Sequence, residues 1–280
     1  MTTSLAISTA TRDDLDTMVE WAAAEGWNPG LDDAGAFFAA DPEGFLVGRI
    51  DGEPIGCISV VGYPPAFGFL GFYIVTPQHR GQGHGLALWR AGMERLRGRI
   101  VGLDGVVDQQ PNYRRSGFVL AHRNIRFGGA VRVPAPQDGR LRDLTAELVE
   151  AVLQYDAGFF PADRSSFVRG WLTPERRRAL VLVEDGEVRG YGVVRTCRQG
   201  AKIGPLFADT DEGADLLFRS LAARAPGEVF LDCPEPNAAA TNLATTYCLS
   251  PVFETARMYR GPAPELPLSR TYGITTFELG

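Results

Sequence analysis

The chain contains an internal repeat, and this repeat limits the folds that are open to it. Residues 45–61 (FLVGRIDGEPIGCISVV) correspond to residues 179–195 (ALVLVEDGEVRGYGVVR). Each copy has two apolar runs joined by Asp-Gly-Glu, and a second glycine follows at Gly56 or Gly190. Asp-Gly between two apolar runs favours a type I′ turn, because both residues there take a positive φ. The sequence therefore predicts one β-hairpin in each half.

The segments around the two hairpins also follow the same order. Apolar residues at helical spacing precede each hairpin, at 11–24 and 143–155. A strand, a helix and another strand follow, at 71–77, 86–98 and 100–106 in the first half and at 204–210, 214–225 and 228–234 in the second. This order predicts an α/β (α+β) fold present twice. The Pro- and Gly-rich stretch at 128–140 predicts domains 1–130 and 141–280 with a linker at 131–140.

Length, composition and charge exclude several classes of protein. The chain has 280 residues, 45% of them hydrophobic and 22% charged, which suits two globular domains and excludes pervasive disorder. The net charge of −6 argues against a nucleic-acid or anionic-membrane partner and mildly favours a cationic one. We find no apolar run of about 18 residues and no signal-peptide pattern at the start, so we expect no membrane span and a cytoplasmic protein.

Cysteine and histidine usage gives no sign of a metal site. The chain has four cysteines without a C-x-x-C pair, and three histidines. We therefore predict no metal and expect free thiols in a reducing compartment.

The segment with the clearest chemical signal is the glycine-rich stretch Arg80-Gly-Gln-Gly-His-Gly85, between a strand and a helix. Its glycines let the backbone approach a ligand, and the amides and dipole of the helix start favour an anion. We therefore predict a phosphate or pyrophosphate cradle; a loop that only turns a corner is the structural alternative. A Walker A loop needs Gly-Lys-Ser/Thr and a dinucleotide fingerprint needs G-x-G-x-x-G, and the stretch has neither.

These residues resemble a known family. Arg80-x-x-Gly83-x-Gly85 after Val75-x-Pro77 resembles the acetyl-CoA-binding motif of the GCN5-related N-acetyltransferases (GNAT), and 113–118 (YRRSGF) resembles the family's Y-x-x-x-G-F element. Where the family often has an Asn before that tyrosine, position 106 is Val, and Asn112 is the substitute we consider. At the second half's cradle position, 208–213 reads ADTDEG, which would repel a pyrophosphate. The chain thus resembles a tandem GNAT protein whose second domain is degenerate.

The resemblance implies two GNAT-like domains, each a mixed, partly splayed sheet flanked by helices, with acetyl-CoA as cosubstrate in the first. Main-chain groups near the splay would bind the pantetheine and polarise the thioester, and the loop amides would hold the pyrophosphate. An amine would attack the thioester directly, with no cysteine intermediate. The cofactor-binding residues implied are Tyr73, Ile74, Val75, Arg80, Gly81, Gln82, Gly83, His84, Gly85, Leu86, Asn112 and Tyr113.

Such a reaction needs a base for the substrate ammonium and an acid for the thiolate. The resemblance assigns the acid to Tyr113, which otherwise is a core tyrosine. For the base we consider Glu25, beside Trp27, where an apolar neighbour would raise the carboxyl pKa. Glu25 as a helix-end surface charge, Asp108 as a rival base, and a water chain without a single base remain open.

Four residues are candidates for the acceptor site. Trp27 and Asn28 would wall the pocket in the loop after the first helix, although Trp27 also suits a core position. Asp232 and Asn237 lie at the second half's strand end, where α/β sheets place ligands. Their alternative is a capped turn before a helix, with Asn237 as the N-cap.

The function we predict is acetyl-CoA-dependent N-acetyl transfer to the primary amine of a small molecule, with a cationic acceptor favoured by the acidic balance. The alternative is a non-catalytic sensor that keeps the acyl-CoA pocket. We expect no nucleic acid and no membrane as partners, and a monomer or a homodimer.

Overall fold

The two Asp-Gly turns form as predicted. In the computed structural model, which describes residues 4–173 and 176–280, Asp51 and Gly52 have φ values of 51° and 87°, and Asp185 and Gly186 have 50° and 81°. The first turn joins strands β2 (Phe45–Ile50) and β3 (Glu53–Tyr63). The second joins β8 (Arg177–Glu184) and β9 (Glu187–Thr196). The prediction of one hairpin in each half is confirmed.

The remaining elements follow the predicted order in both halves, with additions. The first half adds β1 (Ala6–Thr9), α1 (Arg12–Ala24), α2 (Asp33–Ala40), β4 (Phe67–Val75), α3 (His84–Arg95), β5 (Ile100–Val106), α4 (Gln110–Arg115) and β6 (Val119–Gly129). The second half adds β7 (Leu141–Asp143), α5 (Ala146–Asp156), α6 (Ser165–Leu172), β10 (Ala201–Ala208), α7 (Asp211–Ala222), β11 (Val229–Pro234), α8 (Ala238–Thr246), β12 (Ser250–Arg260) and β13 (Thr271–Gly273). None of the helices in the described ranges is long and apolar enough to cross a bilayer.

Helix α1 shows how local sequence sets these elements. Thr11 and Asp14 form a reciprocal capping box, which satisfies amides that the first turn leaves without partners. Leu15, Met18 and Ala22 recur at helical spacing, and all three are buried in the core.

Each half places its last long strand in the sheet of the other half. Strand β12 of the second half lies between β5 and β6, antiparallel to both, and β6 of the first half pairs with β11. The strands therefore form one continuous sheet in the order β1-β2-β3-β4-β5-β12-β6-β11-β10-β9-β8-β7. Neither half completes its own sheet without the other, and the boundaries 1–130 and 141–280 stay a prediction.

Two helices that the sequence did not reveal pack together at the junction of the halves. Phe37 of α2 stacks on Phe167 and Trp171 of α6, with ring centroids 6.3 and 6.0 Å apart. Gly170 allows the approach, since a Cβ there would lie 3.2 Å from the Ala36 Cα. The core is therefore continuous between the halves.

Buried ion pairs also connect the halves. Arg126 of β6 donates to Asp232 of β11 at 2.6 and 2.9 Å, and both side chains are almost fully buried. Arg257 of β12 donates in the same two-pronged manner to Asp104 of β5 at 2.8 and 2.6 Å. Removing one partner of such a pair leaves a buried charge without compensation. The exchanged strands are thus fixed in register by charge as well as by their backbone pairing.

Strands β4 and β5 separate along their length. They pair in parallel from Phe67–Leu70 to Ile100–Leu103, and no further. Beyond that point residues 71–75 and 104–106 diverge, which leaves an opening in the sheet. In the second half the corresponding strands β10 and β11 pair only over Ala201–Ile203 and Val229–Leu231, but there β13 fills the opening by pairing with β10. Residues 274–280 then continue to the opening of the first half.

Candidate active site

A cavity of about 730 Å³ occupies the opening between β4 and β5. It extends to the start of α3 along the part of β4 that no longer pairs with β5, a length of about 13 Å at ~3.3 Å per residue. Many predicted site residues line it, namely Glu25, Trp27, Tyr73, Ile74, Val75, Arg80, Gly81, Gly83, Gly85, Leu86, Asp108 and Tyr113. The remaining predicted site residues, Gln82, His84, Asn28, Asn112, Asp232 and Asn237, are not part of its lining.

The glycine-rich loop has the geometry of an anion cradle. Gly81 and Gly83 have φ values of 75° and 86°, a region that favours glycine, and no side chain caps α3 after Gly83. Within the described chain, the amides of residues 81–86 donate to no other group. These free donors at the positive end of the helix dipole suit a phosphate group. Gly85 lets the helix approach β4, because a Cβ there would lie 2.8 Å from the Tyr73 hydroxyl.

Arg80 is held between the loop and α1. Its Nε donates to the Val75 carbonyl at 2.8 Å, and its guanidinium forms an ion pair with the Glu25 carboxylate. Glu25 caps the C-terminal end of α1, and its side chain is 32% exposed. The structure therefore places the predicted base Glu25 beside the phosphate loop and gives its carboxylate a cationic partner.

Tyr113 lies in the wall of the cavity, between α3 and β5. Its ring stacks on Trp89, with centroids 5.7 Å apart, and packs against Gly105, where a Cβ would lie 2.1 Å from the ring. Burial raises the pKa of the Tyr113 hydroxyl, so the phenol stays protonated at neutral pH. That protonation state suits a proton donor. The neighbouring Asn112 is exposed and hydrogen-bonds with Gln109 and Arg115 instead of facing the cavity.

Cysteine chemistry has no support in this cavity. All four cysteines are free thiols, and none of them lines the cavity. The nearest to β4 is Cys57, whose buried Sγ donates to the Phe72 carbonyl at 3.2 Å; burial raises its pKa and keeps it protonated. Within the described residues, no group of three or more His, Cys, Asp or Glu side chains is arranged to hold a metal ion.

Three predicted acceptor residues have structural partners. The Asn28 side chain hydrogen-bonds with the backbone of Gln199, in the β9–β10 turn. Asp232 is bound to Arg126, whose charge and hydrogen bonds outweigh burial and hold the Asp232 pKa below its usual value. Asn237 is the N-cap of α8 and accepts from the amides of residues 239 and 240, the alternative that the sequence left open. Trp27 alone of the predicted acceptor residues lines the cavity.

The second half contributes residues to the cavity that the sequence analysis missed. Phe253 and Thr255 come from the exchanged strand β12, and Phe277 and Glu278 come from the segment after β13. No motif marks these residues. They reach the cavity only because of the strand exchange and the path of residues 274–280, neither of which has a local sequence signal.

The corresponding position of the second half is closed. Thr210 caps α7 by accepting from the Gly213 amide at 3.1 Å, so a side chain occupies the helix start. Around it Asp209 is paired with Arg270, Asp211 with Tyr272, and Glu212 with Arg140. Together with β13 in the sheet opening, these contacts leave no cradle for an anion at α7.

A sheet opened between β4 and β5, with a glycine-rich loop at the start of the next helix, is typical of a GNAT fold. Residues 12–118 match the sequence model of the acetyltransferase (GNAT) family, and residues 152–273 match that of an acetyltransferase (GNAT) domain. The chain belongs to the GNAT family as a tandem member, and it is a GNAT-type acyltransferase.

Individual relatives agree with this assignment. The chain is 34% identical over 265 residues to the holothin acyltransferase of Pseudoalteromonas sp. (strain SANK 73390), covering 93% of this chain and 90% of that protein. A Pyrococcus horikoshii protein provisionally described as an acetyltransferase has the same fold, with a TM-score of 0.84, 23% identity and coverage of 99% and 96%. A tandem GNAT protein from the clavulanic acid biosynthesis pathway gives a TM-score of 0.63 at 18% identity, with coverage of 93% and 100%.

Proposed function

We propose that the chain transfers an acetyl group from acetyl-CoA to the primary amine of a small molecule. The observation that carries this proposal is the open splay of β4 and β5, which ends in a row of amides without acceptors at the start of α3. A thioester that lies along the unpaired edge of β4 and ends in a pyrophosphate matches that arrangement in both shape and charge.

In this proposal the donor extends from the cradle toward the apex of the splay. The amides of residues 81–86 and the Arg80 guanidinium bind the pyrophosphate. Main-chain groups of Tyr73, Ile74 and Val75 bind the pantetheine and polarise the thioester carbonyl, because the edge of β4 that faces β5 is unpaired there.

The chemical step is a direct acyl transfer. The neutral amine attacks the thioester carbonyl carbon, the C–S bond breaks, and the departing thiolate takes a proton from the Tyr113 hydroxyl. The tyrosine regains its proton from the nitrogen that becomes the amide. A second proton leaves the substrate ammonium before the attack, so each turnover releases one proton to solvent. No side chain is acylated.

The acceptor we propose carries its primary amine on a compact apolar body. The relative named for holothin makes holothin the first acceptor to test. The acceptor end of the cavity is lined by Trp27, Phe253 and Phe277. These rings suit a compact apolar body that carries the amine, and the acidic chain favours a cationic one.

A thiol-release assay tests the proposal. The full chain is mixed with acetyl-CoA and a panel of primary amines that includes holothin, and free CoA is followed with a chromogenic thiol reagent. We expect amine-dependent CoA release that saturates with both substrates, and longer acyl-CoA donors define the acyl preference. Tight CoA binding without turnover of any amine would contradict the proposal and favour the sensor alternative.

A further inference from the structure

The segment after β13 closes the acceptor end of the cavity. Gly71 is the first residue of β4 beyond its pairing with β5, and its backbone lies directly against Glu278. A Cβ on Gly71 would lie only 2.3 Å from the Glu278 carbonyl oxygen. Glu278 is therefore fixed at the apex of the splay, at the opposite end of the splayed part of β4 from the glycine-rich loop.

Two buried polar atoms at this end lack hydrogen-bond partners. Glu278 is 3% exposed; its Oε2 accepts from the Thr276 hydroxyl, but its Oε1 has no partner in the described chain. Thr255 is 2% exposed, and its Oγ1 also has no partner there. Both residues line the cavity. A buried polar atom without a hydrogen-bond partner lowers the free energy of unfolding, and a carboxylate oxygen without a partner lowers it further. Glu278 and Thr255 differ from the other residues with such atoms in that both line this one cavity, where a bound ligand would satisfy them.

The ligand group that fits both atoms is an amine. A carboxylate accepts only, and a hydroxyl accepts as well as donates, so an N–H group with more than one proton satisfies both. An anionic ligand group would face the Glu278 charge directly. The arrangement thus matches the chemistry that the acyl acceptor must bring to the thioester.

The charged groups around Glu278 keep it available. Arg126 of β6 interacts favourably with Glu278, but its hydrogen bonds go to Asp232 and to the Trp27 carbonyl. Asp104 of β5 is neutralised by Arg257 of β12. The phenols of Tyr73 and Tyr113 also line the cavity, and burial raises the pKa of both, so they are neutral. No cation in the described chain forms a salt bridge with Glu278.

We propose that Glu278 and Thr255 bind the amino group of the acceptor, and that the Glu278 carboxylate is the general base of the reaction. This inference rests on the proposed acyl transfer. One proton of the substrate ammonium is transferred to Glu278 Oε1, and a remaining N–H donates to Thr255 Oγ1. The neutral nitrogen then attacks the thioester carbon, and Glu278 later releases its proton to solvent. The degenerate half thus supplies the acceptor-binding residues.

The closing experiment uses the full chain, acetyl-CoA and two acceptor probes. The probes, benzylamine and O-benzylhydroxylamine, share the same benzyl group. Benzylamine is protonated at neutral pH, whereas the alkoxyamine is mostly neutral and needs no base to remove a first proton. We expect Glu278→Gln to lower kcat/KM for benzylamine at pH 7 by about 100-fold, which is the range of a general base. For O-benzylhydroxylamine the loss should stay within about fivefold, because the step that the carboxylate serves is absent. The acidic limb of kcat against pH, present in wild type, should disappear in this variant.

Companion variants separate this role from a structural one. Thr255→Val should raise KM for benzylamine by about three- to tenfold with little change in kcat, which corresponds to the loss of one hydrogen bond. Glu265→Gln carries the same substitution at an exposed position and should match wild type. CoA affinity and the thermal midpoint should be unchanged in Glu278→Gln. If that variant does not fold, Glu278→Asp replaces it, with a lower kcat and a retained acidic limb.

The outcomes distinguish the two proposals. No turnover of any amine by wild type overturns the proposed function, and with it this inference. Turnover of other amines but not of benzylamine overturns the proposal that the acceptor carries its amine on a compact apolar body. Equal losses on both probes, an unchanged acidic limb, or full activity of Glu278→Gln or Glu278→Asp overturns Glu278 as the base while leaving acyl transfer intact.

Discussion

Arg80 in the phosphate loop and Glu25 at the end of α1 form an ion pair across the mouth of the cavity. The sequence suggested separate roles for them, Arg80 as a phosphate ligand and Glu25 as a base. Their side chains are 49% and 32% exposed, so solvent and salt screen the pair. From this pairing we expect Glu25 to affect donor binding, and its role as the base stays a prediction.

Glu25→Gln is therefore expected to change donor affinity and not the acidic limb of kcat. Removing the carboxylate frees Arg80 for the pyrophosphate, so the Kd for CoA should fall by about two- to fivefold at low salt and less at high salt. Calorimetric titrations of wild type and variant at two salt concentrations measure this. A lost acidic limb with unchanged CoA affinity would restore Glu25 as the base.

At Gly83, two substitutions separate the effect of charge on CoA affinity from the effect of backbone strain. Asn and Asp have the same shape and both tolerate positive φ, and they differ in charge. Relative to Gly83→Asn, Gly83→Asp should weaken CoA binding by about 100-fold, because it places a carboxylate among the amides that face the pyrophosphate. Equal CoA affinity of the two variants would contradict the placement of the donor.

Tyr113→Phe keeps the stacking on Trp89 and removes the proton donor. We expect kcat to fall by at least about tenfold with a nearly unchanged KM for acetyl-CoA. A donor acts in its protonated form, and burial raises the pKa of Tyr113 above its usual value of about 10. Wild-type kcat should therefore hold on the alkaline side up to about pH 10. Equal turnover of the variant, or an alkaline loss near pH 8, would contradict the acid role.

The buried Arg126–Asp232 pair is expected to stabilise the exchanged sheet. Arg126→Met leaves the Asp232 charge buried and should cost about 3–5 kcal/mol in the free energy of unfolding. The deficit should shrink between pH 8 and pH 5 as the variant protonates its unpaired Asp232, whereas wild type keeps the contribution of the lowered Asp232 pKa over this range and loses it only below the ordinary carboxyl value.

Urea unfolding at pH 5 and pH 8 measures both effects. Arg12→Met breaks an exposed pair with Asp16 and should cost less than about 1 kcal/mol. The double variant with Asp232→Leu should recover much of the loss, since it removes the stranded charge. A cost for Arg126→Met that is no larger than that of the exposed control would show that the pair is not stabilising.

Local signals account for what the sequence predicted well. The two Asp-Gly turns need positive φ at both positions, and the glycines before α3 leave its amides open; each requirement lies within a few neighbouring residues. Asn237 is a capping residue by type and caps α8. These features depend on the backbone near the residue itself, so a single sequence shows them.

Long-range pairing accounts for what the sequence did not predict. Whether β12 pairs with β11 or with β5 depends on partners far along the chain, and no local pattern in the sequence specifies the choice. The exchange moves Thr255 into the cavity of the other half. Glu278 lies in a stretch without a motif, and its place depends on β13 filling the second opening. Asp232 and Asn237 were predicted, with Trp27 and Asn28, as acceptor residues because strand ends commonly hold ligands; in the structure Asp232 pairs with Arg126 and Asn237 caps α8.

We expect one acyl donor site per chain, in the first half, because β13 and the acidic start of α7 close the second half. Calorimetric titration of the wild-type chain with CoA tests this most directly. We predict one CoA bound per chain, lost in Gly83→Asp. Two CoA molecules per chain, or one that survives Gly83→Asp unchanged, would contradict it.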